Sequence, residues 1–446
     1  MQTTLSERAR ALPRGNEADT ILRKCVHCGF CNATCPTYQL LGDERDGPRG
    51  RIYLMKELLE GHDVTRSTQV HLDRCLTCRN CETTCPSGVT YHALLDIARP
   101  ELERQVGRTP RERALRRGLR FMLADSERFN LLLKAGQTLR AVLPGTLRAR
   151  IPPRAVAMGQ RPDPRRHTRQ MLILNGCVQP GLSPNTNAAA MRVLDRFGIG
   201  VTAVPEAGCC GAIDYHLDAQ QVGRQRMRRN IDAWWPSIED GAEAIIQTAS
   251  GCGAFIKEYG EMLKDDPDYA AKARRVSALA KDLVEILKDE NLERVAVDER
   301  YVGQRRLAFH CPCTLQHAQK LGGAVENVLT RFGFSLAPVR DAHLCCGSAG
   351  TYSITQPELS RRLRDDKLAA LEEGAPEAIV TANIGCQMHL GGASKRPVSH
   401  WLELVDRAIN AAPDAYTKES VVNHRGSHKD NDNDNQGEHP CGPRLY

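Results

Sequence analysis

The chain has 446 residues, enough for two or three domains each with its own core. Its 41% hydrophobic content includes nothing approaching the unbroken apolar run of about 18 residues that a membrane helix needs, and the stretch after Met1 lacks the apolar centre of a secretory signal. Eighteen cysteines without such a signal argue against a disulfide framework and for metal ligation in a reducing, cytoplasmic compartment, while the formal charge of +7 is concentrated in one segment that carries no nucleic-acid recognition motif.

Residues 1–15 read as a frayed lead-in. Residues 16–100 contain two copies of one spacing, Cys25-x2-Cys28-x2-Cys31-x3-Cys35-Pro36 and Cys75-x2-Cys78-x2-Cys81-x3-Cys85-Pro86. This is the run by which two-cluster ferredoxins hold a pair of [4Fe-4S] cubanes. Three thiolates two residues apart wrap three corners of one cube, and the cysteine before proline reaches the other cube. The reading places Cys25, Cys28, Cys31 and Cys85 on one cluster and Cys75, Cys78, Cys81 and Cys35 on the second, so that cluster binding also folds the segment. Zinc competes for Cys-x2-Cys pairs, but it does not call for a third cysteine and a Cys-Pro in each copy. His27 is read as an exposed loop residue that could also tune the first cluster. Between the runs, Ile52, Leu54, Met55, Leu58 and Leu59 predict a helix ending at Gly61. Gly47-Pro48-Arg49-Gly50-Arg51 shapes its entry, with Arg49 and Arg51 read as solvated.

Residues 101–170 form a basic, largely helical connector that turns proline-rich, with 17 Lys/Arg against 6 Asp/Glu. Arg111, Arg113, Arg116, Arg117 and Arg120 share a helix face. They are read first as a solvated surface and second as a docking surface for an acidic partner or anionic lipid.

From 171 the chain repeats itself. Cys177, Cys209 and Cys210 return 136 residues later as Cys313, Cys345 and Cys346, and Gly251-Cys252 returns as Gly385-Cys386. Short apolar runs alternate with amphipathic helices, which predicts two α/β units, 171–300 and 301–412, packed with pseudo-two-fold symmetry. The expected fold is therefore α+β and multidomain, a mainly helical ferredoxin-like domain followed by a duplicated α/β domain. Adjacent cysteines strain as a disulfide, so the matching sets Cys177, Cys209, Cys210, Cys252 and Cys313, Cys345, Cys346, Cys386 read either as ligands of a further metal centre or as buried, inert thiols. Cys311 has no counterpart, and His310 beside it is a ligand candidate or a strand-end residue. Residues 413–446, with the lone Cys441, read as a disordered tail.

Cys209-Cys210-Gly211 and Cys345-Cys346-Gly347 resemble the cysteine-rich domain of heterodisulfide-reductase-type proteins. Their fusion behind a double ferredoxin segment resembles the iron–sulfur subunits of flavin-linked dehydrogenases, in particular those of bacterial glycolate oxidases, from Glu17 to about Ala411. Cys25-Val-His-Cys-Gly-Phe-Cys31, Gly47-Pro-Arg-Gly-Arg-Ile-Tyr53, Cys75-Leu-Thr-Cys-Arg-Asn-Cys81, Thr248-Ala-Ser-Gly-Cys-Gly-Ala-Phe255 and His310-Cys-Pro-Cys-Thr-Leu-Gln-His317 carry the likeness. The resemblance implies a complex oxidising glycolate to glyoxylate in which two flavoprotein-type subunits carry FAD. This chain would pass electrons toward a quinone-linked acceptor, peripherally on the cytoplasmic face of the inner membrane. The absence of a Gly-x-Gly-x-x-Gly fingerprint agrees that flavin belongs to partners. Fuller members close each repeat with Cys-x2-Cys, whereas Ala249 and Asn383 stand at the first of those positions here, so the unusual cluster of some relatives is not carried over. The expected function is electron transfer with no catalytic residue of its own. The rivals are a D-lactate or glycerol-3-phosphate donor, a disulfide- or quinone-reducing site in the repeats, and a structural adaptor.

Overall fold

The computed structural model describes residues 1–148 and 151–411. The tail assigned to 413–446, with Cys441, lies outside the described residues. The fold is α+β and multidomain, with helices throughout the first part and two small parallel sheets in the second.

The first core gathers around the helix Pro48–Glu60, whose proline stands at its start and whose Gly61 ends it at φ 91°. A left-handed residue there is what stops a helix at low cost. Ile52, Met55, Leu58 and Leu59 pack with Ile21, Leu22, Leu94, Leu95 and Ala98 from the helices Gly15–Lys24 and Tyr91–Val106. The lead-in is not frayed. Leu5 and Ala9 are buried in the same core, Glu7–Arg10 is helical, and the Met1 ammonium donates to the Cys25 carbonyl at 2.7 Å. Two apolar side chains and one charge-assisted hydrogen bond outweigh the entropy of ordering so short a segment.

In the second part, β1 (Arg169–Ile173), β2 (Ile199–Thr202), β3 (Ile245–Gln247) and β4 (Ala280–Asp282) form one parallel sheet in the order β2-β1-β3-β4. β5 (Arg306–His310), β6 (Ser335–Leu336), β7 (Ala378–Thr381) and β8 (Val398–His400) form the other, β6-β5-β7-β8. The two orders are the same, as a duplicated sequence requires. The halves are not independent, because one apolar cluster contains Ile173, Leu194 and Ile246 together with Leu307, Phe309, Val380, Trp401 and Val405. The last helix among the described residues, Trp401–Ala411, lies on Asn185–Arg196 of the first half, where Arg192 pairs with the buried Asp406 at 2.6 Å. Trp401 is fully buried, and truncating it to alanine would cost about 3–5 kcal/mol.

Candidate metal centres

Cys25 follows directly on the helix Gly15–Lys24, and Cys31 opens into a single turn, so a tight loop must carry Cys28 between them. The two loops achieve this in the same way. His27 and Gly29 in the first, and Thr77 and Arg79 in the second, all have φ between 52° and 83°. Three of these four are not glycine, and such backbone is held only where the surroundings over-determine it. The turn points amide hydrogens inward, and Thr77 N–H donates to Cys75 Sγ at 3.4 Å. Thr34 and Thr84 then end their turns so that Cys35 and Cys85 leave in extended conformation before proline.

As a result Cys25, Cys28, Cys31 and Cys85 line one pocket, over Ile52, Val89 and Tyr91; Cys81 reaches its wall. Cys35 joins Cys75, Cys78 and Cys81 on the other side, close enough to oppose the ionisation of Cys78 and Cys81. Burial first, then the neighbouring sulfurs, pushes the Cys31 thiol up to about 11 and holds the Cys78 and Cys81 thiols well above the usual range. Four crowded thiols of this kind become thiolates only around a cationic group. The donor sets therefore fit iron–sulfur clusters.

Arg51 corrects the surface reading made for it: it is 1% exposed. Its guanidinium pairs with the fully buried Asp46 and donates to the His71 carbonyl (2.8 Å) and to Thr37 Oγ1 (3.1 Å). It also lies within Coulombic reach of Cys35 and Cys75. It is thus a fixed positive charge beside the second set of thiols. Arg49 remains at the surface, paired with Glu44 at 2.6 Å. His27 is half-buried, edge-on to Tyr53.

In each α/β unit the Cys-Cys-Gly turn is explained by its glycine. Gly211 (φ 99°) and Gly347 (φ 84°) turn their N–H back onto Cys209 Sγ (3.5 Å) and Cys345 Sγ (3.4 Å). A Cβ on Gly347 would stand 2.6 Å from the Ser360 carbonyl oxygen, so the following helix can approach only a glycine. Cys177 lies against Cys209, and Cys210 against Cys252. In the second unit Cys313 and Cys345 are 3.6 Å apart, and Cys346 and Cys386 share a buried cluster with His310. The Cys-Cys pairs sit in the loops after β2 and β6. Cys311 is buried in the shared core.

The second unit abuts the second ferredoxin run. Cys78 and Cys313 pack with Leu76, Cys345 and Tyr352 in one small cluster. Asn80 donates to the His343 carbonyl at 3.2 Å, and Tyr352 O–H donates to the Arg74 carbonyl at 3.1 Å. His317 donates from Nε2 to the same His343 carbonyl (2.9 Å) and accepts Thr83 O–H at Nδ1 (3.1 Å). The first unit is tied on by Arg79, which grips Glu258 through two hydrogen bonds. Sequence reasoning gave no role to Asn80, Thr83, Tyr352 or Arg79. Arg79 and Asn80 lie within the Cys75–Cys81 stretch that resembles a family, and Thr83 and Tyr352 lie outside every such stretch.

The connector is only partly a solvated face. Arg116 pairs with Asp218 and Arg120 with Asp214 at 2.7 Å, both on the first α/β unit, while Arg111, Arg113 and Arg117 stay exposed. The next helix, Ser126–Leu139, has no buried residue, and Leu131 and Leu139 are 69% and 55% exposed.

This architecture, a thiol-rich dicluster segment docked on a duplicated α/β unit with paired cysteines, defines an iron–sulfur protein. Residues 21–89 match the model of the 4Fe-4S dicluster domain, and residues 171–257 and 307–391 each match that of the cysteine-rich domain. The chain is 63% identical over 409 residues to the glycolate oxidase iron-sulfur subunit of Escherichia coli (strain K12), covering 92% of this chain and 99% of the relative. It is 31% identical to the probable glycolate oxidase iron-sulfur subunit of Bacillus subtilis (strain 168), over 83% of this chain and 89% of that one. Lactate utilization protein A of Bacillus licheniformis is 26% identical over 48% of this chain and 88% of its own length. The chain belongs to the family of glycolate oxidase iron–sulfur subunits.

Proposed function

We propose that this chain is the electron-transfer subunit of a flavin-dependent 2-hydroxy-acid dehydrogenase complex acting on glycolate or D-lactate. Electrons come from flavoprotein partners that hold FAD and carry out the substrate chemistry, and leave toward a quinone-linked acceptor. The observation that carries this reading is the convergence of Cys85 on Cys25, Cys28 and Cys31, and of Cys35 on Cys75, Cys78 and Cys81. One-electron capacity would be supplied by [4Fe-4S] clusters on those eight thiolates. The protein's part is to fix the loops, to set local charge through Arg51, and to seat the second thiol set against the Cys-Cys-Gly unit. We take residues 16–100, 101–170, 171–300 and 301–412 as the working units, the last two related by an approximate two-fold. Their matching strand orders support this.

We place the chain peripherally on the cytoplasmic face of the inner membrane. No helix among the described residues is long and apolar enough to cross a membrane. The exposed Phe121, Leu131, Leu139 and Val142 lie among Arg117, Arg128, Lys134 and Arg140, the composition of an interfacial helix on anionic lipid.

The test is anaerobic purification of the complex with iron and sulfide analysis and electron paramagnetic resonance. At least about eight iron atoms and two interacting cubane signals are expected. Cys35→Ser should abolish the signal assigned to Cys75, Cys78 and Cys81 and stop glycolate-driven reduction of the acceptor. Colourless, zinc-loaded protein, or turnover that survives Cys35→Ser with that signal gone, would refute the reading.

A further inference from the structure

The two Cys-Cys-Gly units are not equivalent in their donors. The offset that maps Cys177 onto Cys313 maps Leu174 onto His310. In the first unit the chain leaves β1 through an apolar residue, Leu174, and the four cysteines contact one another in pairs, Cys177 with Cys209 and Cys210 with Cys252. In the second, β5 ends on an imidazole that is 2% exposed. One of its ring nitrogens, Cys346 Sγ and Cys386 Sγ lie within 4.8 Å of one another. Its Nε2 has no hydrogen-bond partner. A buried imidazole nitrogen left without a partner is destabilising, and a bound metal would satisfy it.

Asn383 adds a second observation. It stands where fuller relatives have a further cysteine, and its Nδ2 donates to Cys386 Sγ at 3.4 Å. It supports a ligand and does not replace one. Cys313 and Cys345 are 3.6 Å apart in the same unit, and Cys346 contacts both Cys345 and Cys386, so five donors form one continuous run of contacts: His310, Cys313, Cys345, Cys346 and Cys386. Five exceed what a tetrahedral zinc ion takes. The site also adjoins the ferredoxin thiols, through the packing of Cys78 against Cys313.

We propose that the second Cys-Cys-Gly unit holds an iron centre of mixed sulfur and nitrogen ligation, with His310 as the nitrogen donor, and that this ligation is absent from the first unit. The proposal rests on the electron-transfer reading above and deepens it by placing a third centre beside the second ferredoxin cluster.

The experiment uses the complex purified anaerobically from cells fed ordinary or isotopically labelled histidine. Iron is counted, and pulsed electron paramagnetic resonance and iron Mössbauer spectra are recorded. The wild type should hold more than about eight iron atoms. Its additional centre should show a nitrogen coupling that changes with the histidine label. His310→Leu, which copies the first unit, should lose that coupling and the iron in excess, leaving the ferredoxin signals unchanged. His310→Cys should keep the iron without the coupling. The proposal is overturned if wild-type iron stops at about eight with both ferredoxin signals present, if the site carries zinc, or if the extra centre shows no response to labelled histidine. Loss of the ferredoxin signals in the wild type would instead sink the electron-transfer reading. Should His310→Leu fail to fold, the labelling result on the wild type decides alone.

Discussion

Arg51 offers a direct test of whether the protein tunes the second cluster by buried charge. Its guanidinium is sealed from solvent between the two cysteine runs, within Coulombic reach of Cys35 and Cys75. A fixed positive charge stabilises the reduced, more negative state of a neighbouring centre, so Arg51→Met should lower that cluster's midpoint potential. A unit charge at a separation on the order of 7 Å, in an effective dielectric of about 20, contributes about 2 kcal/mol. For a one-electron couple this is roughly 80–100 mV. The substitution also leaves Asp46 short of one partner, with Arg74 still on it at 2.8 Å, and destabilises the segment by about 3 kcal/mol. Arg51→Met combined with Asp46→Asn removes the pair together, and should shift the potential by less than half as much. A redox titration followed by electron paramagnetic resonance at the two ferredoxin signals reads both effects. An unchanged or raised potential in the single variant would show that Arg51 is structural and that the electrostatic reasoning is wrong.

Gly347→Ala should lower thermal stability by about 2–4 kcal/mol, because it combines left-handed backbone with a Cβ set 2.6 Å from the Ser360 oxygen. Gly211→Ala, whose nearest contact is 2.9 Å, should cost less, and a reversed order in calorimetry would count against this account of the turn. Burial pushes the Asp282 carboxyl up to about 7. The native state then holds a proton that the unfolded chain releases near pH 4, so stability falls as pH rises from about 4 through 7. Asp282→Asn keeps an acceptor for Val284 N–H, now 3.2 Å from the carboxylate, and should flatten the melting temperature between pH 5 and 8; an unaltered slope would contradict the assignment. Leu131→Glu with Leu139→Glu should weaken co-sedimentation with phosphatidylglycerol vesicles by at least about tenfold, from the lost apolar contact of two leucines, without changing iron content. Equal binding by the double variant would remove the membrane role of that helix.

What the sequence determined was whatever depends on near neighbours. The spacing of Cys25, Cys28 and Cys31 states that three sulfurs share one loop, and the prolines after Cys35 and Cys85 state that the fourth leaves it. Gly61 marks a helix end in the sequence and ends one in the structure. The 136-residue recurrence announced the repeated strand order. Burial of Arg51 was not legible, because an arginine after Gly50 at a helix entry reads as solvated until Asp46, Thr37 and the His71 carbonyl close around it. The order of the lead-in was hidden for the same reason, since Leu5 and Ala9 find their partners on distant helices. Only the tertiary structure set Cys78 against Cys313 and gathered His310 with Cys346 and Cys386. Local geometry fixes which residues can bind together within a turn. Which charges and donors meet across tens or hundreds of residues is decided by how apolar faces pack, and no single stretch of sequence contains that information.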